Sequence, residues 1–303
     1  LTGTGEVLYL DGGSGNDSIN IYGYVQNEGV NNYLDYGQAV VIGGDGNDNI
    51  YSSDYQNVEV RGGDGNDSFN SYNYQRWVDQ ILYDGEEGND SSYIERANYF
   101  EGMGGVGSDS LTSYYVVDSV LSGGDDDDTL SSSSGGLTYL DGGSGQDYLY
   151  SYGSVESSVD GGIGDDRLEI YLDSNSWNNY DQIRNYFDQD NDGVLDNRIL
   201  NNVVEGGEGN DELMIQGSNT SVSISSEINL EANGGDGDDQ IKISDQRAGV
   251  IGQNGQSYGI VNAQIDGGSG QDEISVSGVL NASISTGAGS DTVVLTAQQF
   301  RTV

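Results

Sequence analysis

The sequence predicts an all-β fold, a parallel β-solenoid wound in short coils with loop insertions on one edge, and three observations predict it. First, variants of a unit whose core is Gly-Gly-x-Gly-x-Asp followed two residues later by an apolar side chain recur twelve times along the 303 residues. Second, the motif aspartates keep register: Asp48 to Asp67 spans 19 residues, and so does each step from Asp90 through Asp109, Asp128 and Asp147 to Asp166, and the last from Asp272 to Asp291. Third, apolar residues alternate around the motifs with the period of two that a half-buried strand requires. The longer intervals, 23 from Asp67, 45 from Asp166, 28 from Asp211 and 33 from Asp239, place all their excess outside the motif. A solenoid tolerates such insertions on one edge, because each coil contacts only its neighbours.

Taken in order, Leu1 to Gly5 fit the tail of an earlier coil, and the chain starts either after processing or inside a longer polypeptide. Val7 to Leu10 predicts a strand feeding the first motif, Gly12-Gly13-Ser14-Gly15-Asn16-Asp17, after which Ile19 and Ile21 alternate. Asn27 to Asn32 is a polar loop insertion. A regular coil, Gly123 to Asp141, divides into motif loop Gly123 to Asp128, strand Thr129 to Ser131, turn Ser132 to Gly136 and strand Leu137 to Leu140. Leu130 and Leu140 are expected inside. Two narrow parallel sheets follow, and twelve or thirteen coils at the usual strand spacing make a rod about 60 Å long. All of residues 1–303 form one solenoid, with an insertion at 173–202.

Composition narrows the chemistry. The chain carries 51 acidic residues against nine Lys and Arg, a formal charge of −42, with no His, Cys or Pro. Such a charge repels nucleic acid and anionic membranes, and it opposes folding until cations neutralise it. Without Cys and His there are no disulfides, no thiol or histidine catalysis, and no usual ligands for zinc, copper or haem. No apolar run reaches the length of a membrane-spanning helix. A disordered glycine-rich linker would lack the 22 tyrosines and the regular Val, Ile and Leu positions.

The motif itself points to a cation. Glycines allow a tight turn that aims carbonyls inward, and the aspartate adds a carboxylate to that ring of oxygens. Oxygen donors in an irregular loop suit calcium. The expected ligands are Asp17, Asp48, Asp67, Asp90, Asp109, Asp128, Asp147, Asp166, Asp211, Asp239, Asp272 and Asp291. The glycines of the matching loops are Gly12, Gly13, Gly15, Gly43, Gly44, Gly46, Gly62, Gly63, Gly65, Gly142, Gly143 and Gly145 in the first half, then Gly161, Gly162, Gly164, Gly206, Gly207, Gly209, Gly234, Gly235, Gly237, Gly267, Gly268 and Gly270.

Written G-G-x-G-x-D-x-U-x with U apolar, the pattern resembles the calcium-binding nonapeptide of the RTX, or haemolysin-type, proteins. The resemblance covers nearly the whole chain. It implies a parallel β-roll with calcium between loops of adjacent turns, each motif aspartate bridging two ions and loop carbonyls completing the shells. Some copies depart: Glu86 replaces the second glycine, Asp126 the third and Thr286 the first, and around Gly102 to Asp109 two extra residues precede the loop, where a distorted site is expected. The period departs too. One motif per 19 residues, where the family often has one per nine, implies a single calcium ladder along one edge.

A second loop lies within the 45-residue interval, Asp188-Gln189-Asp190-Asn191-Asp192-Gly193-Val194-Leu195-Asp196. Carboxylates of Asp188, Asp190, Asp192 and Asp196, the Val194 carbonyl and Gly193 at the turn have the spacing of a tight calcium loop. Position twelve is Ile199, so this is not a true EF-hand. In Asp147 to Tyr152, Leu149 is expected inside and Tyr148, Tyr150 and Tyr152 outside, where they either cover the sheet or contact a polysaccharide or protein.

The expected protein is not an enzyme, since nearly every clustered aspartate belongs to a motif and Lys242 is the only lysine. A carbohydrate-active solenoid ranks third. The first reading is a secreted, calcium-stabilised structural protein of a bacterial cell surface: a surface-layer, sheath or filament subunit that self-associates head-to-tail. The second is a calcium-binding secretion or adhesion module of a larger type I-secreted exoprotein.

Overall fold

A computed structural model describes residues 7–23, 37–73, 77–172, 200–217, 227–245 and 259–296. They form twenty-two strands and no helix. Every pairing between named strands is parallel, as twelve stacked coils require.

Two ladders run the length of the molecule. Sheet I contains β1 (Leu8–Ser14), β3 (Gln38–Asp45), β5 (Asn57–Asp64) and β7 (Val78–Glu87). It continues through the second halves of β8 (Ser91–Val106) and β9 (Ser110–Asp125) into β11 (Leu137–Ser144), β13 (Glu156–Ile163), β15 (Leu200–Glu208), β17 (Glu227–Asp236), β19 (Gly259–Ser269) and β21 (Asn281–Ser285). Sheet II contains β2 (Ser18–Tyr22), β4 (Asn49–Ser53), β6 (Ser68–Tyr72), the first halves of β8 and β9, β10 (Thr129–Ser133) and β12 (Tyr148–Tyr152). It ends with β14 (Arg167–Leu172), β16 (Glu212–Gly217), β18 (Gln240–Ser244), β20 (Glu273–Ser277) and β22 (Thr292–Thr296). β8 and β9 turn the corner between sheets without leaving the ladder, bending at Arg96 (φ 64°) and Tyr115 (φ 55°).

The core lies between the sheets and is built of stacked columns. Leu130, Leu140 and Leu149 are fully buried, as their alternation predicts. Volumes compensate from coil to coil. Phe69 stacks on Tyr83, and the coil after each is cut back: Ser92 follows Phe69 and Gly102 follows Tyr83. One interior corner is polar, where buried serines and a threonine satisfy one another, Ser119 to Ser113 at 2.8 Å and Ser132 to Thr138 at 3.0 Å.

The motif is less of a loop than its composition implies. Gly123, Gly124 and Asp125 end strand β9, and Gly124 pairs in register with Gly143 of the next coil. Backbones without Cβ stack at the spacing of one coil, so the ladder runs through the glycines before the turn. At the far end of the 173–202 insertion, Leu200, Asn201 and Asn202 already belong to β15.

Candidate metal centre

The first glycine of each motif and the motif aspartate face each other across the turn. A Cβ built on Gly12 would stand 2.9 Å from Asp17 Oδ2 and 2.5 Å from the Gly43 carbonyl of the next coil. At Gly267 the same point lies 2.6 Å from Asp272 Oδ2 and 2.8 Å from the Thr286 carbonyl. The geometry repeats at Gly43, Gly62, Gly85, Gly104, Gly123, Gly142, Gly161, Gly206 and Gly234. The missing side chain therefore leaves a place where one carboxylate oxygen and one carbonyl oxygen of the following coil converge.

The carboxylates point into the roll. Asp48, Asp67, Asp90, Asp109, Asp128, Asp147, Asp166, Asp211, Asp239 and Asp272 are all buried. Each Oδ1 accepts the backbone N–H of the motif aspartate one coil earlier, from Asp17 to Asp48 at 2.7 Å through Asp272 to Asp291 at 3.2 Å. Each Oδ2 from Asp17 through Asp272 is buried without a hydrogen-bond partner. Native proteins seldom leave buried polar atoms unpaired, and a column of them asks for a ligand or a proton.

Burial pushes most of the interior carboxyls up. Asp67, Asp109, Asp147 and Asp211 are raised to about 6, and Asp90, Asp128, Asp166 and Asp239 to about 7. Desolvation is the main cause, opposed by the N–H donated to Oδ1. Without a counter-charge the column stays ionised at neutral pH only at a cost.

The two convergent atoms are both oxygens, one of them anionic, which is the donor type of a hard cation, though two oxygens are fewer than the about six to eight that calcium takes. Among the described residues no three acidic side chains converge. Each place therefore offers one carboxylate oxygen and one carbonyl oxygen of the following coil.

The second and third glycines do a different job. Gly44 (φ 110°) and Gly46 (φ 124°) take left-handed backbone, and a Cβ on either would collide with the Gly13 or Gly15 carbonyl. Glu86 (φ 74°) and Asp126 (φ 76°) adopt that conformation without being glycine. The stretch from Gly102 to Asp109 is regular: Gly104 faces Asp109 Oδ2, Gly105 and Gly107 take positive φ, and Gly102 packs against Phe100. At the ends of the column Asp17 and Asp291 are only half-buried. Asp188, Asp190, Asp192, Val194 and Asp196 lie outside the described residues.

A second ladder stitches the same edge. The residue before the motif aspartate accepts the N–H of its counterpart one coil later, as from Asn66 to Asn47 at 3.0 Å, Gln146 to Asp127 at 2.8 Å and Asp238 to Asn210 at 2.8 Å. The two ladders run in opposite directions, so the turn is tied to both neighbours. The excess of Asn and Asp at this position, Asn16, Asn47, Asn66, Asn89, Asp127, Asp165, Asn210 and Asp238, is its signal in the sequence. Tyr83 is a further polar interruption, buried with its hydroxyl unpartnered.

No family model, curated protein or solved structure matches this chain.

Proposed function

We propose that the chain is an extracellular, calcium-stabilised structural β-roll whose motif edge holds a row of calcium ions. The observation that carries the reading is the column of buried Asp Oδ2 atoms, each meeting a carbonyl of the next coil where the first glycine has no side chain. The motif aspartates from Asp17 to Asp272 would supply Oδ2, and carbonyls such as those of Gly43 and Gly206 the neutral oxygens. Oδ1 would stay with the backbone. Bound calcium would neutralise the column and cross-link successive coils. Modest affinity fits such single-carboxylate places, and millimolar calcium outside cells would fill them.

On this reading the carboxylates are structural and the protein is not an enzyme. Assembly into a surface layer, sheath or filament is supported by sheet ends. β22 pairs with β20 alone among the described residues and carries exposed Val293, Val294 and Leu295. A further coil from a second molecule would cover that edge by strand addition, which repeats head-to-tail. The same edge equally suits more coils of a longer exoprotein, the second reading. Sedimentation with and without calcium tests the choice: calcium-dependent linear oligomers support the subunit, and a monomer at high concentration supports the module.

A further inference from the structure

Over its first seven strands the outer face of sheet II differs from the rest of the surface, and the charge returns at β14 with Arg167 and Glu169. Seven strands, β2, β4, β6, the first halves of β8 and β9, β10 and β12, each present three outward residues there. Of these only Glu95 is charged, and Arg96 holds it at 3.1 Å. The others are Ser, Thr, Asn and Tyr. In a chain of net charge −42, seven successive strands whose described outward residues carry no free charge stand apart. Sheet I faces outward with Asp11, Glu59, Asp84, Glu101, Asp141 and Asp160 over the same coils.

Tyrosines on this face form a zigzag along the solenoid axis. Tyr22, Tyr51, Tyr72 and Tyr93 come from four successive coils, with ring centroids 5.6, 6.0 and 5.2 Å apart. A second group, Tyr148, Tyr150 and Tyr152, lies beyond the hydroxyl-bearing coil of β10, and Tyr150 and Tyr152 stack at 6.3 Å. Tyr22 is 63% and Tyr152 39% exposed. No Leu, Ile, Val, Phe or Met projects among them, so the tyrosine rings alone supply the apolar surface of this face.

We propose that this face binds an uncharged polysaccharide laid along the solenoid axis. Phenol rings at about one-sugar intervals offer stacking for the C–H faces of pyranoses, and the Ser, Thr and Asn between them hydrogen-bond sugar hydroxyls. Neutrality selects the ligand. An acidic glycan is repelled by the molecule as a whole, and a cationic one finds, among the described outward residues of these seven strands, no carboxylate but Glu95, which Arg96 already holds. The inference rests on the extracellular reading and on the fold, not on the calcium row. A roll that folds without calcium and still binds glycan would sink only the calcium reading.

Affinity electrophoresis in calcium tests it, using protein with a β-type circular dichroism spectrum. The gels carry hydroxyethylcellulose, galactomannan or dextran as neutral chains, and carboxymethylcellulose as the charged counterpart of the first. Retardation by at least one neutral chain and not by carboxymethylcellulose is expected. The triple variant Tyr51→Ser, Tyr72→Ser, Tyr93→Ser should weaken binding by about tenfold or more. Should it misfold, the exposed pair Tyr22→Ser, Tyr152→Ser replaces it, with a loss of about threefold or more. No retardation by any neutral chain, equal retardation by carboxymethylcellulose, or unchanged binding in the folded variant would overturn the proposal. So would loss of self-association in the variant without glycan binding by the parent, which assigns the face to a second copy.

Discussion

Asp128 accepts the backbone N–H of Asp109 at 2.7 Å through Oδ1, while its Oδ2 is buried with no partner. One oxygen ties two coils together, and the other sets a demand that a cation or a proton must meet. Most testable behaviour of the roll follows from that division.

Without calcium the protein should be more stable in mild acid than in mild alkali. Burial raises eight interior carboxyls to about 6 or about 7 when folded, as at Asp67 and Asp166, against about 4 in an unfolded chain. The folded state therefore binds more protons, and stability falls as pH rises from about 4 through 7. Urea midpoints of calcium-free protein should drop between pH 5 and pH 8, and calcium should abolish most of the drop. A higher calcium-free midpoint at pH 8 would contradict this.

Asp128→Asn separates the proton from the ion. The amide oxygen keeps the Asp109 N–H, and the amide nitrogen donates toward the Gly142 carbonyl as a protonated carboxyl would. Calcium-free variant at pH 8 should be more stable than parent by about 1–3 kcal/mol, and calcium-loaded variant less stable by a similar amount. Denaturation curves that shift in one direction under both conditions would refute the exchange.

Position along the column should matter. Asp147→Ala orphans the N–H of Asp128 in the interior, at a cost of about 1–3 kcal/mol. Asp291 is half-buried and holds Asp272 at a longer 3.2 Å, so Asp291→Ala should cost less. Thermal midpoints in the reverse order would argue against a shared ladder.

Gly62→Ala should destabilise by several times more than Asp126→Gly stabilises. The new methyl would collide with Asp67 Oδ2 and stand 2.7 Å from the Gly85 carbonyl, occupying the convergence point itself. Asp126→Gly relieves a left-handed residue and removes a charge beside Asp128, a gain of about 1 kcal/mol. Chemical denaturation of both variants in calcium checks signs and order.

Much of this was legible in the residues. The 19-residue register gave the coil, and alternation placed Leu130, Leu140 and Leu149 inside. Alternation fails inside the motif, where left-handed glycines reset side-chain direction. The inward turn of the aspartates and the Oδ1 hydrogen bonds could not be read from it. Continuity of β8 and β9 was hidden for a related reason: Arg96 and Tyr115 take the corner with positive φ, though neither is a turn former. The regular loop Gly104 to Asp109 was obscured because Gly102, placed to make room beside Tyr83 and Phe100, resembles a motif glycine.

Calcium stoichiometry of the folded protein tests the central claim most directly. Equilibrium dialysis with metal analysis, paired with circular dichroism, should find on the order of ten ions per chain, taken up together with the β-type spectrum and lost with it in chelator. A fully folded protein that binds no calcium, with the same spectrum in chelator, would contradict the account.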